Sequence, residues 1–244
     1  MFRKFFRSAQ SDAPFPAVAP DAPVVVVGDI HGCAALLHRF LERVGDLPLV
    51  CVGDYVDRGP NSAEVLRTLQ ARPDITCLSG NHEVMMRDFL EAPVKEGARW
   101  LNHGGTATLQ SFGLPTIRHN NDSAMLNDAR DALAEAMGPD LVAWLVSLPP
   151  LWQSGNVAVV HAGADPDRPM NEQSDHDLHW GHPAFFKRRR RDGIWVVHGH
   201  TIVANPQARD GRISIDTGAY ASGRLTGVRL EDGEAYAETV TLQD

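Results

Sequence analysis

Val24-Val25-Val26-Val27-Gly28-Asp29-Ile30-His31-Gly32 decides how this chain is read. Four β-branched residues in a row suit a strand buried on both faces. The string then ends in a carboxylate and an imidazole two positions apart, which extended chain projects to the same side. The same construction recurs. Leu49-Val50-Cys51-Val52 runs into Gly53-Asp54-Tyr55-Val56-Asp57-Arg58-Gly59, and Ile75-Thr76-Cys77-Leu78 precedes Gly80-Asn81-His82-Glu83. Val157-Ala158-Val159-Val160 runs into His161-Ala162-Gly163, and Ile194-Trp195-Val196-Val197 into His198-Gly199-His200. Five apolar runs therefore deliver oxygen and imidazole groups at their ends.

Between the first three runs the apolar period changes from strand to helix. Leu36, Leu37, Phe40, Leu41 and Val44 mark one helix, and Val65, Leu66 and Leu69 a second. The resulting β-α-β-α-β order predicts a parallel sheet with right-handed crossovers. Helices are then expected over 85–90, 95–101, 106–112, 122–137 and 141–148, the fourth capped by Asp122 or Ser123, forming a helical cap at about 84–148. Strands return at 157–160, 194–197, 213–215 and 225–230, and a final hairpin follows around Asp232-Gly233. Residues 1–23 read as a flexible N-terminal arm, because 8–23 are rich in Ala, Ser and Pro. Residues 24–244 read as one domain.

Composition narrows the function classes. Of 244 residues, 43% are hydrophobic and 22% charged, with 23 basic against 31 acidic residues and a net charge of −8. Broad nucleic-acid binding through bulk charge is not expected. Cys33, Cys51 and Cys77 cannot all pair, and the latter two sit in apolar runs as small buried thiols. A reducing, cytoplasmic location follows from that usage. No stretch is long and apolar enough to span a bilayer. Phe2, Phe5 and Phe6 could share a face for weak membrane contact, or be a locally packed terminus.

The strand-end groups have a chemistry in common. Asp29 and His31 can hold one ion, Asp54 has two oxygens that can bridge two ions, and Asn81, His161 and His200 add a neutral oxygen and two nitrogens. Oxygen and nitrogen donors without thiolate suit Mn²⁺, with Fe or Zn as alternatives. A pair of such ions can bind a bridging hydroxide and polarise a phosphoryl group. His82 could donate a proton to the leaving oxygen, Asp57 could hold its ring, and Arg58 could fork to phosphate oxygens.

These strings resemble the signatures of the calcineurin-like metallophosphoesterase superfamily, and more closely the phosphoprotein phosphatase branch that includes bacterial and phage serine/threonine phosphatases. The resemblance extends through Trp100-Leu101-Asn102-His103-Gly104-Gly105-Thr106 and Ile215-Asp216-Thr217-Gly218-Ala219, covering about residues 24–230. It implies a four-layer α/β/β/α sandwich with a dinuclear site at the sheet edge. Asp29 and His31 would bind the first metal, Asp54 would bridge, and Asn81, His161 and His200 would bind the second. His82 and Asp57 would be the catalytic pair, Asn81 and Arg58 would meet the phosphate, and His198 would have a supporting or packing role.

One position departs from the pattern. Relatives carry a phosphate-binding Arg two residues after a Trp, whereas Trp180-Gly181-His182 places an imidazole there. His182 would be a weaker, pH-dependent phosphate contact. The basic run Lys187-Arg188-Arg189-Arg190-Arg191 could compensate, engage acidic substrate, or be solvated surface. Cys33 could approach the metals or be a packed thiol. The reaction expected is hydrolysis of phosphoserine or phosphothreonine in a phosphorylated protein, or of a small phosphoester. A dinucleoside-tetraphosphate hydrolase is the alternative, and a non-catalytic phosphate-binding protein the remote one.

Overall fold

Each strand divides its side chains between two cores, and that division generates the layers. The architecture is described from a computed structural model, over residues 3–4, 15–117 and 122–242. One six-stranded sheet has the order β1 (Arg3–Lys4), β11 (Glu234–Thr241), β10 (Arg224–Glu231), β2 (Val24–Val27), β3 (Leu49–Cys51), β4 (Ile75–Cys77). The second, five-stranded, runs β5 (Leu151–Ser154), β6 (Val157–Val160), β7 (Trp195–His198), β9 (Arg212–Ser214), β8 (Gln207–Arg209). Strands β2, β3 and β4 are parallel, as are β6, β7 and β9. Val24 and Val26 of β2 meet Val157 and Val159 of β6 in an inter-sheet core, while Val25 and Val27 face a helical core. A strand buried on both faces must be apolar throughout, which is why these runs lack polar alternation.

The helical core takes α1 (Ala34–Val44) and α2 (Ser62–Gln70), whose apolar stripes have the expected period. It also takes the block expected at about 84–148. That block contains α3 (Asn81–Glu91), α4 (Pro93–Trp100), a π-helical turn at Leu101–Gly105, α5 (Thr106–Ser111), α6 (Ser123–Met137) and α7 (Pro139–Ser147). Phe89, Trp100, Leu126, Leu133 and Leu141 share one apolar cluster with Leu37 and Phe40, so the block is continuous with the first helical layer. The Asp122 side chain caps α6 by accepting from Ala124 N at 2.9 Å. On the far side, α8 (Asp175–Trp180) and the segment around Phe185 cover Ala158, Val160 and Val196. The chain is thus two mixed sheets flanked by helices, the α/β/β/α arrangement expected.

The arm is where structure and expectation differ. Residues 15–23 are packed along the sandwich. Val18 is fully buried in the inter-sheet core. Phe15 meets Trp195 edge-on at 5.0 Å, Trp195 Nε1 donates to Pro16 O at 2.8 Å, and Gly233 N donates to Val18 O at 2.7 Å. Proline content reports an extended backbone, and here Phe15 and Val18 use that extension to close one end of the sandwich. Phe2, Phe5, Phe6 and residues 8–14 lie outside the described residues. Strand β5, also unanticipated, pairs with β6 across Gly155-Asn156.

Placing a charge at Val18 tests whether this segment belongs to the fold. Val18→Asp should lower unfolding free energy by about 2–4 kcal/mol, because it buries an unpaired carboxylate and removes an apolar contact. Urea denaturation followed by tryptophan fluorescence measures it; an unchanged midpoint would make 15–23 dispensable.

Candidate active site

The strand ends turn sharply. Among the described residues six non-glycine positions have positive φ, and five of them are His31 (44°), Asp54 (54°), Asp57 (70°), Arg58 (67°) and His200 (61°). Such conformations cost of order 1–3 kcal/mol each and persist only where surroundings over-determine them. Here they aim side chains that regular strand would send to alternate faces.

Glu83 is the principal constraint. Its carboxylate lies one turn into α3 and accepts from Asp54 N (2.7 Å), Tyr55 N (2.7 Å), Val56 N (3.3 Å) and Gly80 N (2.8 Å). One buried anion therefore gathers the turn after β3 and the turn after β4. The two backbones touch at Gly53 and Gly80: Gly53 has φ 109°, and a Cβ there would overlap Gly80 N. Burial pushes Glu83 up to about 7, against the four backbone donors that favour its charged form.

The gathered side chains form two overlapping groups of donors. Asp54, His161 and His200 make one, and His31, Asp54 and His82 the other, each with ligand atoms within 4.8 Å of one another. Asn81 Oδ1 joins the first at 2.8 Å from His161 Nε2 and 2.9 Å from His200 Nδ1. His161 Nε2 is 3.3 Å and His31 Nε2 3.4 Å from the two oxygens of Asp54. Carbonyls set the tautomers: His31 Nδ1 donates to Val56 O at 2.8 Å and His161 Nδ1 to Val52 O at 3.2 Å, turning both Nε2 atoms inward. Asp29 accepts from His200 N at 3.1 Å and lies beside Asp216.

The electrostatics show that these donors suit cations. Burial pushes Asp29 and Asp54 well up, and neighbouring carboxylates add to the rise. Burial pushes His31 and His161 well down, with neighbouring imidazoles adding to it. Divalent ions would offset the carboxylate charge and bind neutral imidazole at once. No thiolate joins the set: Cys33 Sγ donates to His31 O at 3.5 Å and burial holds its thiol at about 11, as a packed thiol.

His82 is held differently. Its Nδ1 donates to Asp57 Oδ2 at 2.6 Å, and its Nε2 is 3.8 Å from Asp54. Asp57 also accepts from Thr108 Oγ1 at 2.6 Å and from Trp100 Nε1 at 3.1 Å. Burial pushes Asp57 up to about 8, opposed by those donors, and His82 down to about 3, helped by Arg58 and His103. Arg58 is exposed at the mouth with its guanidinium 4.8 Å from the Tyr220 ring.

His182 is not brought into this cluster by its contacts. Its Nδ1 accepts from Ala184 N at 3.2 Å, and its Nε2 lies 3.9 Å from Asp165. His198 is buried, bonded to Ser214 Oγ at 2.8 Å and enclosed by Phe185 and Phe186. The sequence reading passed over the supports Glu83, Trp100 and Thr108. Glu83 ends the string Gly80 to Glu83, Thr108 lies in no motif, and Trp100 opens the string Trp100 to Thr106, whose π-helical turn carries Gly104 (φ 112°) against Arg58 N.

Comparison with known proteins matches this arrangement to a described group. The sequence pattern of the calcineurin-like phosphoesterase family matches residues 22–216. Serine/threonine-protein phosphatase 2 of Escherichia coli (strain K12) is 31% identical over 224 residues, covering 84% of this chain and 92% of that protein. An asymmetrical bis(5'-nucleosyl)-tetraphosphatase, PrpE of Geobacillus sp. (strain WCH70), is 28% identical over 251 residues, covering 89% and 94%. A crystal structure described as a candidate diadenosine tetraphosphatase superposes with TM-score 0.62 at 23% identity, covering 92% of this chain and 98% of its own, which speaks to the fold alone.

Replacing Glu83 by Gln should lower stability by about 2–4 kcal/mol, since charge-assisted bonds to backbone N–H groups are lost in a buried place. Metal stoichiometry by elemental analysis should fall with it. A variant of wild-type stability and full metal content would show that the two turns are held without Glu83.

Proposed function

This chain belongs to the calcineurin-like phosphoesterase family, whose members work through a dinuclear metal centre, and we propose that it is a phosphomonoesterase acting on phosphoserine or phosphothreonine in proteins. The observation that carries this reading is the buried His82–Asp57 hydrogen bond at 2.6 Å. A serine or threonine alkoxide is a strongly basic leaving group and needs a proton as the bond to phosphorus breaks. A nucleotide phosphate leaving a phosphoanhydride is far less basic and needs one less. A braced general acid is therefore worth more to ester than to anhydride cleavage.

The roles assigned to the site residues are those the family resemblance implies. Asp29, His31 and Asp54 would hold one ion, and Asp54, Asn81, His161 and His200 the other. Mn²⁺ is the choice the oxygen and nitrogen donors favour, over Fe or Zn. Two such ions supply positive charge for phosphoryl oxygens and make water a stronger nucleophile. His82 takes the role of proton donor through Nε2, and Asp57 holds Nδ1 and steadies the ring as it exchanges charge. Trp100 and Thr108 aim Asp57. Arg58 offers its fork to the phosphate with Asn81 beside it, and the Tyr220 ring limits where that fork can swing. His182, engaged by Ala184 and Asp165, is left a lesser part than its position after Trp180 implied. Three free thiols suit the cytoplasm, and no helix among the described residues is long and apolar enough to cross a membrane.

A second reading, dinucleoside-tetraphosphate hydrolysis, has support in relatives such as the Geobacillus protein that match nearly the whole chain. Steady-state turnover of a phosphoserine peptide and of diadenosine tetraphosphate, each with Mn²⁺, distinguishes the two. We expect the peptide to have the higher kcat/KM; a preference for the dinucleotide overturns the first reading.

His82→Ala should lower kcat for phosphopeptide by roughly 10²–10⁴-fold while metal content stays at the wild-type level. Loss of metal in that variant would make His82 a ligand. Arg58→Ala should raise KM about tenfold or more, whereas His182→Ala should change it less than about twofold. Chelation by EDTA should abolish turnover and added Mn²⁺ restore it, assayed with p-nitrophenyl phosphate.

A further inference from the structure

The outer face of the second sheet is only partly covered. Phe185 and α8 pack against β6 and β7, whereas the edge strand β8 beside β9 leaves Gln207 and Arg209 exposed. A groove of about 630 Å³ runs there, lined by Phe186, Lys187, Arg189, Val203, Arg209 and Arg212 among others. Its cations outnumber its single carboxylate, Asp210, on a chain whose net charge is −8. A second hollow of about 520 Å³ continues from it, sharing Arg189 and adding Arg188 and Arg191. Some of this charge is committed internally. Arg190 is buried and donates to Asp165 O and Arg168 O, and Arg188 pairs with Asp167. Lys187 and Arg191 are exposed and have no ion-pair partner among the described residues.

The groove also abuts the catalytic edge. Val203 follows His200 by three residues, and its N–H donates to Asp216 O at 2.9 Å. Ser214 is the register partner of His198. Three extended residues span at most about 11 Å, so a chain whose phosphorylated residue lies at the metal site reaches the groove a few positions away. Phe186, 52% exposed at the lip, offers an apolar contact between the charges.

We propose that this groove is a docking site for an acidic, extended segment of the protein substrate, lying several residues from the phosphorylated one. The assignment rests on the protein-phosphatase reading for its substrate. Charge complementarity selects Asp/Glu-rich chain, and the open edge of β8 can add main-chain hydrogen bonds to an extended segment. Nucleic acid fits less well, because a net charge of −8 opposes a long polyanion.

The test separates docking from chemistry. An unphosphorylated, fluorescein-labelled Asp/Glu-rich peptide should bind the full-length protein at low salt, measured by anisotropy. Lys187→Glu/Arg191→Glu should weaken it about tenfold, and 0.5 M NaCl likewise. Turnover of p-nitrophenyl phosphate should be the same in both proteins, which also reports that the variant is folded; Lys187→Ala/Arg191→Ala serves if the reversal is not. With phosphoserine peptides, acidic flanks should raise kcat/KM about tenfold over neutral ones in wild type, and about twofold or less in the variant. No binding of the acidic peptide, binding unchanged in the variant, or stronger binding of a single-stranded oligonucleotide overturns the docking proposal. Acidic peptide bound through Lys187 and Arg191, with only diadenosine tetraphosphate hydrolysed, leaves docking standing and removes the protein-phosphatase reading.

Discussion

One carboxylate holds the catalytic edge in shape. Parallel strands ending side by side have no reason to turn their next residues into a common hollow, and the loops after β3 and β4 do so because Glu83 accepts from backbone N–H groups of both. Asp54 is placed by this arrangement, its N–H donating to Glu83 and its Oδ1 accepting from His82 N at 3.0 Å. Every donor group described above includes Asp54 or contacts it. Strain at Asp54 is sustained because Glu83 holds the start of the turn, and strain at Asp57 because its N–H donates to the Ser62 and Thr108 hydroxyls. Gly53 and Gly80 are the steric counterpart, since a side chain at either would separate the loops that Glu83 joins.

The charges make sense only as a set. Asp29, Asp54, Asp57, Glu83 and Asp216 are all buried, and all are pushed upward by that burial. A fold selected for stability alone would replace such a cluster with apolar residues of similar size, often at a gain. Imidazoles pushed downward occupy the same space, which is the reverse of what carboxylates would induce if they formed ion pairs. Cations held between them would relieve both directions together. The thermodynamic cost is thereby tied to function, and the second charge system, His82 with Asp57, is set apart by its own donors from Trp100 and Thr108.

How much of this could be read from residues alone depended on whether the signal was local. Runs such as Val24–Val27 announce a strand buried on both faces, and Gly53 to Gly59 has so many turn-forming and ionisable positions that its place at a strand end follows. The parallel β-α-β-α-β opening was legible for that reason, while the α/β/β/α layering was what the family resemblance implied. Glu83 was not legible, because three of its four backbone partners lie 27–29 residues away and leave no trace in side-chain pattern. Trp100 and Thr108 reach Asp57 across 43 and 51 residues. Residues 15–23 misled through composition: Ala and Pro suggested freedom, while two apolar side chains, Phe15 and Val18, determined the packing. The position of His182 after Trp180 says nothing of its neighbours in the fold, Ala184 N and Asp165.

The division between chemistry and selection follows from where rigidity lies. Strand ends braced by buried hydrogen bonds place the donors, His82 and Asp57, and can vary little without losing Asp54's position. The rim is made of other material: Arg58 at an exposed turn, Tyr220 on a four-residue helix, and the cationic segment 187–191 between α8 and β7. Relatives that match this chain along nearly all its length are named for protein phosphatase and for tetraphosphatase activity alike. Such a split is what a shared braced edge with an unbraced rim should produce. A phosphoryl group presents the same oxygens to the edge whether it is an ester or an anhydride, so on the proposed roles substrate class would be decided by how strongly the leaving oxygen needs a proton from His82 and by what the rim holds beyond the phosphate.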